Sequence, residues 1–118
     1  MISIVDDDPL VRSATADLLN SMGYSAIAFE SAEQFLDSGH IKNTWCLITD
    51  QQLPGLSGTE LQTQLRRDGY RTPVIFITGF PEQQVRERAL SEGAIAFLPK
   101  PFEEMALVNS LEVALISP

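Results

Sequence analysis

The chain has 118 residues, 44% hydrophobic and 20% charged, with sixteen acidic against eight basic side chains and a formal net charge of −8. That length suits one domain whose core needs no disulfide or metal staple, and the single Cys46 excludes an internal disulfide and fits a reducing compartment. The acidic balance argues against a grip on nucleic-acid phosphates, no apolar run approaches a membrane span, and the start MISIVDDDPL lacks the basic region of a signal peptide, so the expected location is cytoplasmic.

Short β-branched runs alternate with helical patterns along the chain. The first predicted strand, Ile2 to Val5, runs into Asp6, Asp7 and Asp8. A helix follows, with Asp8 as N-cap, Pro9 at the first helical position, and Val11, Ala14, Leu18 and Met22 on one face until Gly23 stops it. The second strand, Tyr24 to Phe29, leads to a helix opening at Ser31, where Gln34 has the spacing of a capping box. His40, in DSGHIKNTW, reads as an exposed loop residue. The third strand, Trp45 to Thr49, carries Cys46 as a core residue and ends on Asp50. The chain turns through Pro54 and Gly55 into a helix opening at Ser57, with Glu60 again at capping-box spacing. The fourth strand, Pro73 to Thr78, precedes Gly79, and its helix starts after Pro81 and stops at Gly93. The fifth strand, Ala94 to Leu98, runs into Pro99, Lys100 and Pro101, and the last helix carries Met105, Val108, Leu111 and Leu115 at helical spacing.

Repeated strand–helix units predict an α/β domain with a parallel sheet and helices on both faces. The near-continuous apolar run VIFIT fits a central strand buried on both sides. In such open sheets, functional groups gather at the carboxyl ends of the strands. Here those ends offer Asp6 and Asp7, Asp50, Thr78 and Lys100. Crowded carboxylates repel one another, and a hard divalent cation such as Mg²⁺ (or Mn²⁺), which prefers oxygen ligands, removes that cost. Lys100, one of two lysines, sits between prolines that restrict its backbone, and Lys100–Pro101 is a candidate cis peptide. The ammonium reads either as a plain salt-bridge partner or as a counter-charge for a phosphoryl group. One reaction uses every part: Asp50 attacks a phosphoryl donor to form an aspartyl phosphate, with the cation and Lys100 stabilising the transferring charge and Thr78 binding a phosphate oxygen.

The segments VDDD (5–8), TDQQLPGLSG (49–58), VIFITG (74–79) and LPKPF (98–102), each after a predicted strand, resemble a receiver domain of a two-component response regulator over essentially the full chain, 1–118. The resemblance implies a (βα)5 flavodoxin-like three-layer sandwich with strand order 2-1-3-4-5. It implies Asp50 as phosphoacceptor, Mg²⁺ held by Asp7, Asp50 and the backbone carbonyl of Gln52, and Asp6 acting through water. It makes Thr78 and Phe97 the switch positions and Gln52 and Phe80 the positions that tune the lifetime of the phosphoryl group. The implied donor is a partner sensor histidine kinase or a small phosphodonor. The implied response is a changed helix 4–strand 5–helix 5 surface, where Arg86, Arg88, Glu92, Glu103 and Glu104 could pair across a phosphorylation-dependent homodimer.

PGLSG with ELQTQLR, FITGF and LPKPF is most similar to receivers of FixJ/LuxR-type transcriptional regulators, whose helix-turn-helix output domain is absent from this chain. The expectation is an excised signalling domain rather than an enzyme, taking part only in its own phosphotransfer and autodephosphorylation. A stand-alone receiver acting by protein–protein interaction is the alternative. A small Mg²⁺-dependent aspartyl-phosphate phosphatase is disfavoured, because Gln52 stands where such enzymes need a second acid. A flavin or nucleotide binder is disfavoured because DDDP after the first strand repels phosphate without a metal.

Overall fold

The computed structural model describes residues 1–116; the expected domain limit at Pro118 lies outside them. Five strands, β1 (Ile2–Val5), β2 (Ala26–Phe29), β3 (Cys46–Asp50), β4 (Val74–Thr78) and β5 (Ala96–Pro99), form one parallel sheet in the order β2-β1-β3-β4-β5. Each is followed by a helix: α1 (Pro9–Ser21), α2 (Ala32–Asp37), α3 (Gly58–Arg67), α4 (Gln83–Ser91) and α5 (Glu104–Ile116). The expected flavodoxin-like order is therefore the observed one.

The period-2 alternation of each strand divides the core in two. Ile2, Ile4, Cys46, Ile48, Ile75 and Ile77 pack with Leu19 of α1 and Leu107, Leu111 and Ala114 of α5. Val5, Leu47, Val74 and Phe76 pack on the other face with Phe35 of α2, Leu61 and Leu65 of α3, and Ala89 of α4. The strands β1, β3 and β4 are buried along their whole length. Each fully buried Ile, Leu or Phe contributes roughly 1.5–3 kcal/mol relative to exposure, so the central strands are the rigid frame on which the loops are hung.

Local chemistry sets most element boundaries. The Asp8 carboxylate accepts from Leu10 N–H at 2.9 Å and Pro9 opens α1. At α3 the capping box is complete, with Glu60 N–H donating to Ser57 Oγ (3.2 Å) and Ser57 N–H donating to Glu60 Oε1 (3.0 Å). At α2 it is not. Gln34 N–H reaches Ser31 Oγ, but the Gln34 side chain accepts from Glu30 N–H, one residue before the cap. Strand ends also move: β2 starts at Ala26, not Tyr24, and β5 runs Ala96–Pro99 rather than from Ala94.

Two helix faces differ from expectation. On α1 the fully buried residues are Thr15 and Leu19, while Ala14 is exposed and Val11, Leu18 and Met22 flank the core. On α5 the buried face is Leu107, Leu111 and Ala114, and Met105 and Leu115 are each 61% exposed. Helix α5 is apolar nearly all round, so spacing alone could not choose its inward face. His40 is not a solvated loop residue either. It is half-buried beside the Phe29 ring, centroids 6.3 Å apart, with Nδ1 out of water. Cys46 is wholly buried, and burial pushes its thiol up to about 12.

Candidate functional site

The strand alternation explains why acids meet at one sheet edge. Ile2, Ile4 and Asp6 share one face of β1, and Cys46, Ile48 and Asp50 share the same face of β3. Val5 pairs with Thr49, so the next step along both strands sets Asp6 beside Asp50. Adjacent strands lie about 4.8 Å apart, which is the distance scale of two carboxylates across one cation. Asp7 joins them: one carboxylate oxygen from each of Asp6, Asp7 and Asp50 lies within 4.8 Å of the others.

Lys100 enters from the end of β5. Its Nζ lies 2.8 Å from Asp50 Oδ2 and 2.9 Å from Asp6 Oδ2, bridging the two buried acids. Its backbone N–H donates to Thr78 O at 2.7 Å, and the Lys100–Pro101 peptide is cis. Asp6 is wholly buried, and desolvation holds its carboxyl above the ordinary range, although Asp8 N–H and Lys100 both pull it back. Burial alone would lower the Lys100 ammonium, yet its bonds to Asp50 and Asp6 outweigh this and hold it above the usual lysine value. The cluster thus sets three carboxylates against one ammonium. That excess of hard oxygen donors fits a divalent cation that tolerates open coordination positions for water or phosphate.

The other predicted residues differ in burial. Gln52 is exposed, and its N–H donates to Asp50 Oδ1 at 3.1 Å, closing a tight turn just after the acid. Thr78 is wholly buried at the end of β4, and its Oγ1 accepts from Phe80 N–H at 3.1 Å. A hydroxyl that accepts once still has its proton to donate. Phe97 is half-buried and packs on Phe76, ring centroids 5.5 Å apart. Phe80 is 67% exposed and does not cover the acids in this conformation. Of the surface charges expected to meet a second copy, Glu92 and Arg88 are engaged within the chain. Both Glu92 carboxylate oxygens accept from Thr63 Oγ1, at 3.1 and 2.9 Å, and Arg88 Nη2 lies 3.4 Å from the same hydroxyl. Arg86, Glu103 and Glu104 are exposed.

Several supporting residues gave no sequence signal. Arg12 Nη1 donates to Asp6 O at 2.8 Å and ties α1 to the acid-bearing strand end. Glu33 on α2 accepts from Leu56 N–H at 2.9 Å and holds the β3–α3 loop; its carboxylate lies so close to Gly55 that any Cβ there would meet Oε2 at 2.5 Å, and Gly55 has φ +82° besides. Gly58 is required by close approach instead: its Cβ would lie 2.5 Å from Asp50 O. These contacts join residues from six to twenty-three positions apart, beyond the reach of periodicity or capping rules.

The model of the response regulator receiver domain family matches residues 2–112. Nodulation protein W of Bradyrhizobium diazoefficiens is 39% identical over 114 residues, covering 97% of this chain and 50% of the relative. The transcriptional regulatory protein FixJ of Azorhizobium caulinodans is 36% identical over 114 residues, covering 97% of this chain and 54% of its own length. A solved structure of the response regulator StyR superposes with a TM-score of 0.90 at 41% identity, covering 97% of this chain and 58% of that one. The chain therefore spans about half the length of the curated relatives it matches. Receivers of this kind are signalling domains with autophosphatase activity, work in two-component phosphoryl transfer with histidine kinases, and generally bind Mg²⁺ at an acidic pocket. Among the described residues no helix is long and apolar enough to cross a membrane. With the strand order, the acid cluster and the family match in agreement, the chain belongs to the response regulator receiver domains.

Proposed function

We propose that this chain is a phosphorylation-dependent switch whose phosphoacceptor is Asp50. The observation that carries this reading is the meeting of Asp6, Asp7 and Asp50 around one small space with Lys100 bonded to Asp50 Oδ2. A carboxylate oxygen of Asp50 forms the new bond to phosphorus. The donor's bond to phosphorus breaks, and its electron pair leaves with a kinase histidine or a small donor. No general base is needed, because an ionised carboxylate is already a nucleophile.

Asp7, Asp50 and the Gln52 carbonyl would hold Mg²⁺ or Mn²⁺ directly, with Asp6 acting through water. Bound there, the cation would offset the charge gathering on the phosphoryl oxygens. Lys100 adds a fixed positive charge beside the same oxygens, and Thr78 donates its hydroxyl proton to one of them. Thr78 then moves toward the phosphate, and Phe97, which packs on Phe76 in the present structure, follows it inward. Gln52 and Phe80 flank the water's path and set the lifetime of the acyl phosphate, Phe80 by closing over the site from its exposed position. The α4–β5–α5 surface, with Arg86, Glu103 and Glu104, changes and favours a homodimer. The similarity to FixJ supports an output in transcription through a domain outside this chain.

Incubation with acetyl phosphate and Mg²⁺, read by intact mass, tests the acceptor. One added phosphoryl group in the wild type and none in Asp50→Asn is the expected result. Equal labelling of the two proteins would place the acceptor elsewhere.

A further inference from the structure

The two glutamines that follow Asp50 are not equivalent. Gln52 is exposed, whereas the Gln51 side chain is half-buried and bonded at both ends. Gln51 Oε1 accepts from Thr59 N–H at 2.8 Å, and Gln51 Nε2 donates to Thr59 Oγ1 at 3.2 Å. Its backbone is held as firmly: Gln51 N–H donates to Ile77 O at 3.3 Å, and Gln51 O accepts from Gly58 N–H at 3.0 Å. All four bonding groups of this residue are therefore engaged, three of them with Gly58 and Thr59 in the first turn of α3. Thr59 is buried and touches Ser57 Oγ at 3.2 Å, so the clamp runs on into the cap of the helix.

We propose that Gln51 is a positioning residue for the phosphoacceptor: its amide locks the turn that follows Asp50 to the start of α3. The inference rests on the reading of Asp50 as acceptor and of the Gln52 carbonyl as a cation ligand. The direction of the chain at Gln51 decides where the Asp50 carboxylate and the Gln52 carbonyl point. Asp50 Oδ1 is held by Gln52 N–H on one side, and Gly58 lies against the Asp50 carbonyl on the other. A turn free to swing would break the first of these and move the Gln52 carbonyl with it. The amide reaches a backbone N–H and a side-chain hydroxyl at once, which an apolar side chain of the same size cannot do. Asp50 gains a fixed orientation without a side-chain contact from Gln51, which acts through the backbone between them.

The test compares the wild type with Gln51→Leu, Thr59→Val and the double variant, using Gln51→Glu as the conservative replacement, because its carboxylate accepts from both Thr59 N–H and Thr59 O–H. The first readout is amide exchange at Gln52 in the metal-free protein. Exchange about fivefold faster in Gln51→Leu, restored in Gln51→Glu, is expected from the loss of two modest hydrogen bonds. The second is the Kd for Mg²⁺ from its effect on thermal unfolding, expected to rise about three- to tenfold in Gln51→Leu and in Thr59→Val. The double variant is expected to be no worse than the poorer single one, as for two ends of one clamp. Thr63→Val, which cuts a bond from α3 to Glu92, is the control that lowers stability with no change in either readout. Unchanged Gln52 exchange in Gln51→Leu overturns the proposal, as does additivity of the two single effects. If the wild type shows no Mg²⁺ effect, the functional reading fails, and the exchange data still decide the positioning role.

Discussion

Helices α3 and α4 each follow a strand that ends in a site residue, Asp50 for one and Thr78 for the other, yet they are attached in opposite ways. Helix α3 starts with a complete capping box, buries Gly58, Thr59, Leu61, Gln62 and Leu65, and is clamped to Gln51. Helix α4 starts at Glu82 with no side-chain cap, buries only Ala89, and follows a largely exposed Phe80 and an exposed Pro81. Its C-terminal end is tied instead, by Gln62 Nε2 to Ala89 O (3.2 Å), Thr63 Oγ1 to the Glu92 carboxylate (2.9 Å) and Arg66 Nε to Glu92 O (3.1 Å). The two are held at opposite ends: the chain after Asp50 is fixed at the start of α3, and the chain after Thr78, beyond the Phe80 N–H bond to Thr78 Oγ1, is held mainly at the far end of α4. Segments with few buried contacts sit at the low end of local stability, where a modest ligand energy can move them.

The largest effect should come from the chemistry. Lys100→Ala removes the one ammonium bonded to Asp50 and Asp6, and phosphorylation by acetyl phosphate, followed by intact mass against time, should slow about 10²-fold. Next comes the close approach beneath α3. Gly58→Ala sets a Cβ 2.5 Å from Asp50 O, and urea unfolding should show a loss of about 1–3 kcal/mol. A Gly58→Ala protein as stable as the wild type would break the picture of a rigid α3 start.

The caps sharpen the contrast. Ser57→Ala should cost about 1 kcal/mol, whereas Glu82→Ser should gain about 0.5–1 kcal/mol by giving α4 the cap that it lacks. The smallest effect is the pH-linked one. Because burial holds the Asp6 carboxyl above its ordinary range, its contribution to stability is present below the unfolded pKa of about 3.9 and lost as pH rises through the higher folded value. In chelator at about pH 7, Asp6→Asn should raise the urea midpoint, and the gain should shrink on acidification to about pH 3 as the Asp6 carboxyl becomes neutral like the amide. Saturating Mg²⁺ should reverse the order of the two proteins.

Much of this was legible in the residues. Apolar strands that end on Asp6, Asp50, Thr78 and Lys100 announce a parallel sheet and the edge where its functional groups gather, because strand direction and period 2 leave little choice. The inward face of α5 was not legible, since Leu107, Val108, Leu111, Ala114 and Leu115 leave no polar stripe to read against. The roles of Gln51, Arg12 and Glu33 were hidden because each reaches another element through a polar contact. A capping-box pattern likewise specified one helix and misread another: Glu60 completes it at Ser57, while Gln34 spends its oxygen on Glu30.

The contrast between the two helices is tested most directly by amide exchange of the protein before and after Asp50 is phosphorylated. The account predicts that the amides of the β4–α4 loop and the first turn of α4, from Gly79 to Val85, change several-fold. The amides of Gln52, Thr59 and Glu60 at the start of α3 should keep or gain protection. Equal changes in both helices, or a loosened α3 over an unchanged α4, would contradict it.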